Sequence, residues 1–248
     1  MKQSYSQPEL DALLAASSPR IGWDFSGMRA SRAPVPFEYA DVVAGYLRPG
    51  DEVLDIGTGD GVRFAAMAGS FRRGLGIDID PEMVRLAEQS STCPNVSFAV
   101  CSARLEVITT TFPVIINRHA TLELPAIASH LGPGGLFITQ QVGERNMACV
   151  RQALGMAPAP PPIGVEDVAA AGLRVLSFRQ YDVEYVVQDI ESLVFWLSAL
   201  DLLHADLDGG SALASADALN AVLTGNVDER GFVTNEHRYL VVAQRSGS

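Results

Sequence analysis

"VLDIGTGDGVRF", residues Val53–Phe64, decides the fold. An apolar run ends in an acid, glycines follow at positions 57, 59 and 61, and a second apolar-periodic segment then begins. The run reads as a buried strand over 52–57 and the segment from Val62 to Gly69 as a helix. Glycine in the join permits backbone conformations barred to other residues and lets a ligand approach the main chain closely. A turn of this kind, at the carboxyl end of a first strand, is where open parallel sheets bind their ligands. The amide groups that open the following helix can also face an anion.

Outward from that stretch, strand-like and helix-like segments alternate. "RGLGIDI" (73–79), "NVSFAV" (95–100), "FPVIIN" (112–117) and "GGLFITQQV" (134–142) read as strands, Pro81 suits the first turn of a helix, and "ATLELPAIASHL" (120–131) reads as a helix. Before the glycine turn, "FEYADVVAGYLRPG" (37–50) has a helical period stopped by Pro49-Gly50. The expected fold is α/β, with a doubly wound, mostly parallel seven-stranded sheet covered on both faces.

The first 36 residues, with Trp23, Phe25 and Met28 among glycine, serine and proline, read as an arm or lid. After Arg151 comes a stiff connector, "APAPPP" (157–162), then a short helix in "VEDVAAAG" (165–172) and a long strand in "LRVLSFRQYDVEYVV" (173–187). Residues 188–231 are too long for a simple loop, and "DIESLVFWLSALDLL" (189–203) and "SALASADALNAVL" (211–223) read as two helices. "HRYLVVAQ" (237–244) is the last strand. The expected organisation is therefore an arm over 1–36 and one domain over 37–248, with 188–231 as a helical insertion on the substrate side.

Composition bounds the function. With 248 residues, 48% of them hydrophobic and 19% charged, the chain has enough material for a substantial core. It has no apolar run of roughly 20 residues to span a bilayer and no secretory leader pattern, so the expected address is the cytoplasm, with no membrane partner. Cys93, Cys101 and Cys149 form no CxxC, which supports neither a disulfide framework nor a zinc site, and no metal is expected. A net charge of −11 works against nucleic-acid binding, which begins with neutralising phosphates. A monomer and a homodimer both remain open.

Spacing narrows the ligand. A pyrophosphate cradle favours GxGxxG, but its third glycine would fall on Val62, and no Gly-Lys-Ser/Thr follows to make a P-loop. Asp78, ending the next strand in "GIDID", can accept both ribose hydroxyl protons. The implied ligand has a ribose and needs no pyrophosphate.

"VLDIGTGDG", then "GLGIDIDPEMVRLAE", then "LGPGGLFIT" resembles, in order and spacing, the class I S-adenosylmethionine-dependent methyltransferases, well over residues 37–150 and again in the final strand. The resemblance implies S-adenosylmethionine as cofactor and S-adenosylhomocysteine as product. It implies that Gly57, Thr58 and Gly59 line the methionine portion, with Asp55, Asp60 and Gly61 completing the turn. Asp78 would hold the ribose, and Ile79 and Met83 would lie near the adenine. The usual acid and small residue beside the adenine amino group are replaced by Ser102-Ala103, and Pro113 stands where an acid commonly precedes the fourth strand. Asn117 and Arg118 fall on the cofactor's side of that strand's end.

Methyl transfer is a direct displacement, so alignment and exclusion of water come first, and a base helps only to take the acceptor's proton. His119, at the end of the fourth strand, is the candidate base, and Glu123 is a helix-spaced companion. "NRH" departs from the (Asn/Asp)-Pro-Pro-(Tyr/Phe) pattern of nucleic-acid aminomethylating enzymes, which with the acidic balance favours a small-molecule acceptor. Arg118 suits either the cofactor or an anionic substrate. Gln141, Asn146 and an aromatic wall of Trp23, Phe25 and Trp196, with Met28, are the candidate substrate contacts. RNA or protein methylation, and binding of the nucleoside without transfer, remain as alternatives.

Overall fold

The computed structural model describes residues 1–17, 24–203 and 214–246. Along the chain these form α1 (Gln7–Ala16), β1 (Ala30–Arg32), α2 (Tyr39–Tyr46), β2 (Glu52–Ile56), α3 (Val62–Ala65), a 3-10 turn (Ala68–Ser70), β3 (Arg73–Asp78), α4 (Pro81–Ser90), β4 (Val96–Val100) and β5 (Phe112–Arg118). Then follow α5 (Leu124–His130), β6 (Leu131–Val142), α6 (Ala148–Ala153), α7 (Val165–Ala170), β7 (Leu173–Val187), α8 (Ile190–Ala199), α9 (Ala216–Leu223), β8 (Val227–Asp228) and β9 (Gly231–Arg245).

Two compact units share this chain, and β7 and β9 each pass from one into the other. The larger comprises 35–143, 161–181 and 238–248. Its strands follow the order β7-β9-β6-β5-β2-β3-β4. The pairs β2/β3, β2/β5, β3/β4 and β5/β6 are parallel, and β9 joins β6 antiparallel. This is the mostly parallel, seven-stranded, doubly wound sheet. Central β2 is buried along almost its whole length, as expected of a strand covered on both faces. One side of the sheet carries Leu54, Ile56, Ile115, Phe137, Tyr239 and Val241 into a core closed by Ile127 and Val168.

Local chemistry sets the element ends. Asp80 caps α4 by accepting from the Glu82 amide, and Pro81 occupies the first turn, where its missing N–H is no loss. Pro113 stands at a register shift between Phe112 and Val114 where β5 joins β6. The helix expected over 62–69 is shorter: α3 ends at Ala65, and the 3-10 turn completes the segment. Likewise α5 begins at Leu124 instead of Ala120, with Pro125 in its first turn.

The smaller unit comprises 1–34, 144–160 and 182–237. The segment expected as an arm or lid over 1–36 contains α1 and β1. The amide and hydroxyl of Ser6 both donate to the Glu9 carboxylate, opening α1 so that Leu10 is buried with Leu193, Leu197, Leu219 and Val222 of α8 and α9. β1 pairs antiparallel with the end of β7, and β8 makes a short hairpin with the start of β9. Among the described residues no helix is long and apolar enough to cross a membrane.

Candidate active site

The glycine turn joins β2 to α3 at the carboxyl edge of the parallel strands. Gly57, Gly59 and Gly61 all have left-handed φ, at 75°, 59° and 72°. Their surroundings differ. A Cβ on Gly57 would sit 2.2 Å from the Ala120 Cβ, and one on Gly61 would strike Phe98 and Ala87, so both glycines are required by packing. A Cβ on Gly59 would meet nothing within 4 Å, so here the main chain faces open space.

Beneath the turn, the amides of Gly57 and Thr58 donate to the Ile77 carbonyl. The Gly59 amide donates to one Asp78 oxygen at 2.9 Å, and the Asp80 amide to the other at 3.0 Å. Asp78 therefore locks the turn to the end of β3, and each oxygen keeps capacity for a further donor. Beside it Ile79 is 73% exposed, an apolar side chain left at the rim, and Met83 is half-buried. The Thr58 side chain is directed at β3: its hydroxyl would lie 2.8 Å from a Cβ on Gly76.

Asp55 ends β2 beneath this turn and is buried. Burial pushes its carboxyl up to about 7; the Thr58 hydroxyl opposes the shift, Asp78 adds to it and Arg118 opposes it. The buried Thr58 hydroxyl makes no hydrogen bond of good geometry among the described residues, although its proximity eases the charge on Asp55.

The facing wall is the turn after β5. Asn117 is fully buried, and its amide donates to the carbonyls of Ile56 at 3.1 Å and Thr121 at 3.3 Å. Its oxygen accepts from the Thr139 hydroxyl and from the Gln141 amide, which also donates to the Ala120 carbonyl. The hydrogen-bonding capacity of the Asn117 side chain is thus met by protein groups. Asn117 and Gln141 thus both hold this turn in place. Tyr39 of α2 donates its hydroxyl to the Asn117 carbonyl and lies under Arg118, 5.8 Å from guanidinium carbon to ring centre.

The turn presents His119. Its φ is 56°, an uncommon value for a residue with a side chain, held by donation from its amide to the Gln140 carbonyl. The residue as a whole is exposed. The protein mass packed around it, then the positive charges of Arg118, Arg238 and Arg63, hold its pKa well below 6.5, with a hydrogen bond to Gln140 acting the other way. Glu123 is the N-cap position of α5, and His119 lies in the preceding turn, so the two do not share a helix face.

The Ser102 hydroxyl, in the loop after β4, donates to Glu106 at 2.7 Å. Glu106, Tyr39, Thr139, Arg63 and Arg238 were not singled out from the sequence, because their spacing carries no motif. The other expected substrate contacts belong to the smaller unit. Phe25 packs edge-on against Phe195, Trp196 packs against Tyr185, Met28 lies against the helical core, and the Asn146 side chain accepts from the His237 amide. Trp23 lies outside the described residues. A cavity of about 300 Å3 lined by Tyr46, Arg48, Thr111, Phe112, Gly134 and Gln244 opens at the opposite sheet edge, where β5 and β6 begin, and does not include the glycine turn. No cluster of histidine, cysteine and acidic side chains suited to a metal occurs among the described residues.

A methyltransferase-domain family profile matches residues 53–135, the span from the glycine turn to the start of β6. That span is similar to a methyltransferase domain, in agreement with the resemblance read from the glycine turn. The ribosomal protein L11 methyltransferase of Thermus thermophilus is 32% identical over 118 residues, covering 45% of this chain and 46% of that relative. The same-named protein of Listeria monocytogenes is 31% identical over 121 residues, 45% of this chain and 38% of its own. The chain thus matches less than half the length of these curated relatives. Among solved structures, a functionally unknown protein from Deinococcus radiodurans superposes with TM-score 0.64 at 18% identity, covering 88% of this chain and 92% of its own. A putative methyltransferase from Bacillus halodurans gives 0.58 at 14%, covering 84% and 97%. These likenesses show the methyltransferase fold.

Proposed function

We propose that this methyltransferase moves a methyl group from S-adenosylmethionine to a small-molecule acceptor. The observation that carries this reading is the pairing of the open main chain at Gly59 with the Asp78 carboxylate that holds it. Open backbone beside a carboxylate with spare acceptor capacity, next to an exposed isoleucine, fits a nucleoside without a diphosphate. Asp78 would accept from the ribose hydroxyls, the main chain at 57–59 would flank the methionine portion, and Ile79 and Met83 would contact the adenine. Ser102 and Glu106 would lie on the side of the adenine amino group. When bound, S-adenosylmethionine supplies an electrophilic methyl group on a sulfonium.

The chain's part in the reaction is alignment and proton removal. An imidazole kept neutral at pH 7, as the lowered pKa of His119 implies, is in the form that accepts a proton from a phenol, amine or acidic carbon. Arg118, fixed by Gln140 at 3.0 Å and by the Tyr39 ring, keeps the adjacent turn in place.

A protein acceptor is the second reading, favoured by the names of the curated relatives. Incubation with labelled cofactor, first with a small-metabolite extract and then with ribosomal protein, separates the two; label moving to neither leaves a binding protein without transfer. The cofactor assignment is tested by calorimetry with S-adenosylhomocysteine. Asp78→Ala is expected to weaken binding about tenfold or more, and an unchanged affinity removes the ribose role.

A further inference from the structure

We propose that β4 is a pairing edge for a second copy of this chain: two β4 strands meet antiparallel about Phe98 and join two sheets into one. The inference stands apart from the methyl-transfer reading.

Strand order leaves β4 at the end of the sheet, and among the described residues no strand pairs with its outer edge. Its inner side shows how the main chain is turned. The Gly74 amide donates to the Asn95 carbonyl, and the Cys101 amide donates to the Asp78 carbonyl, so residues 95 and 101 direct these groups at β3. Alternation along an extended strand then directs the amides and carbonyls of Val96, Phe98 and Val100 outward. Sheets usually blunt such an edge with a lysine, a proline, a bulge or a very short strand. β4 has none of these: "VSFAV" carries no charge, and its register with β3 runs unbroken over these five residues.

What fits this edge is its own sequence reversed. With Phe98 opposite its counterpart, antiparallel pairing sets Val96 opposite Val100 and Ser97 opposite Ala99, apolar against apolar and small against small. Every outward-facing residue then meets another, and each such pair can exchange two hydrogen bonds. A surface that complements itself in this way is what a two-fold axis requires.

The side chains agree. A Cβ on Gly61 would strike both the Phe98 ring and Ala87 of α4, so Phe98 lies on the α4 face of the sheet, and Val96 and Val100 share that face. There, beside the amino end of β4, is a hollow of about 210 Å3 lined by Glu88, Ser91, Cys93, Val96, Ser97 and Phe98. Val100, 51% exposed at the other end of the strand, is the side chain that pairing sets beside Val96 of the second copy, at its hollow. Each copy thus offers one knob and one recess. Charge follows the same line: Glu88 stands at the rim of the hollow, Arg104 is exposed beyond the carboxyl end of β4, and antiparallel pairing brings these two ends together. In a chain of net charge −11, an uncharged strand is also a place where two copies meet with little repulsion.

Sedimentation velocity over a concentration series is expected to show a reversible monomer–dimer equilibrium. Hydrogen exchange is expected to show the amides of Val96, Phe98 and Val100 gaining protection as the dimer fills. Val100→Lys, which sets a charge at the hollow of the second copy, is expected to weaken dimerisation about tenfold or more while circular dichroism stays that of the folded chain. The double variant Val96→Glu/Val100→Lys, which sets opposite charges across the pair, is expected to regain most of that loss. A dimer indifferent to Val100→Lys, or a double variant no better paired than the single one, overturns the proposal. So does a monomer at every concentration with these three amides exchanging freely, which leaves the edge to a different partner.

Discussion

At Asp55 the fold keeps a carboxyl where ionisation is disfavoured. Its pKa rises from the ordinary 3.8 to about 7, chiefly through burial. Between those values the folded chain holds a proton that the unfolded chain releases, so this residue lowers stability steadily as pH climbs from about 4 to about 7 and has a level effect above that. The whole change is on the order of 4 kcal/mol. Asp55→Asn is expected to flatten the dependence of melting temperature on pH in that window, and an unaltered slope would place the ionisation elsewhere. For His119 the shift runs the other way. Its neutral form persists to lower pH than that of an ordinary histidine, so the acidic limb of the rate profile is expected below pH 6.5. His119→Ala should cut turnover about a hundredfold while leaving cofactor affinity intact; near-normal turnover would mean transfer by alignment alone.

At the scale of elements, the two turns that meet at the site differ in how far sequence reveals them. The β2–α3 turn is legible because three glycines in alternation have few other uses. Their division of labour is not legible, since it depends on Ala120, Phe98 and Ala87, which come from distant segments. Gly57→Ala is expected to destabilise the fold by about 2 kcal/mol or more, from the clash with Ala120 added to a left-handed φ. Gly59→Ala, with open space around it, should lose only about 1 kcal/mol in chemical denaturation and instead weaken S-adenosylhomocysteine binding. If both variants lose stability equally, the open space at Gly59 is not what sets it apart. The turn after β5 was harder to foresee. His119 and Glu123 have helical spacing, but the buried amides of Asn117 and Gln141 bind the intervening carbonyls and delay α5 to Leu124. Side-chain hydrogen bonds, one local from Asn117 and one long-range from Gln141, outweighed helical periodicity there. The strands of the larger unit, by contrast, stand where their apolar runs place them, because strands covered on both faces need little beyond hydrophobicity to declare themselves.

For the whole molecule, net charge and composition indicate a globular domain of this class but not its division into two cores. α1 illustrates why. Its polar flanks suggest an arm, and only the burial of Leu10 among α8 and α9, nearly two hundred positions away, ties it to a core. Leu10→Ala should therefore cost about 2–5 kcal/mol in denaturant unfolding, whereas a value near zero would return the segment to the role of an unanchored arm.

Each unit is assembled from three stretches of chain, so their boundary is crossed at 34/35, 143/144, 160/161, 181/182 and 237/238. No single crossover can exchange one half for a relative's counterpart, either in a laboratory chimera or by genetic recombination. Altering one unit while keeping the other therefore requires point substitution and loop change within a fixed frame, or several exchanges made at once.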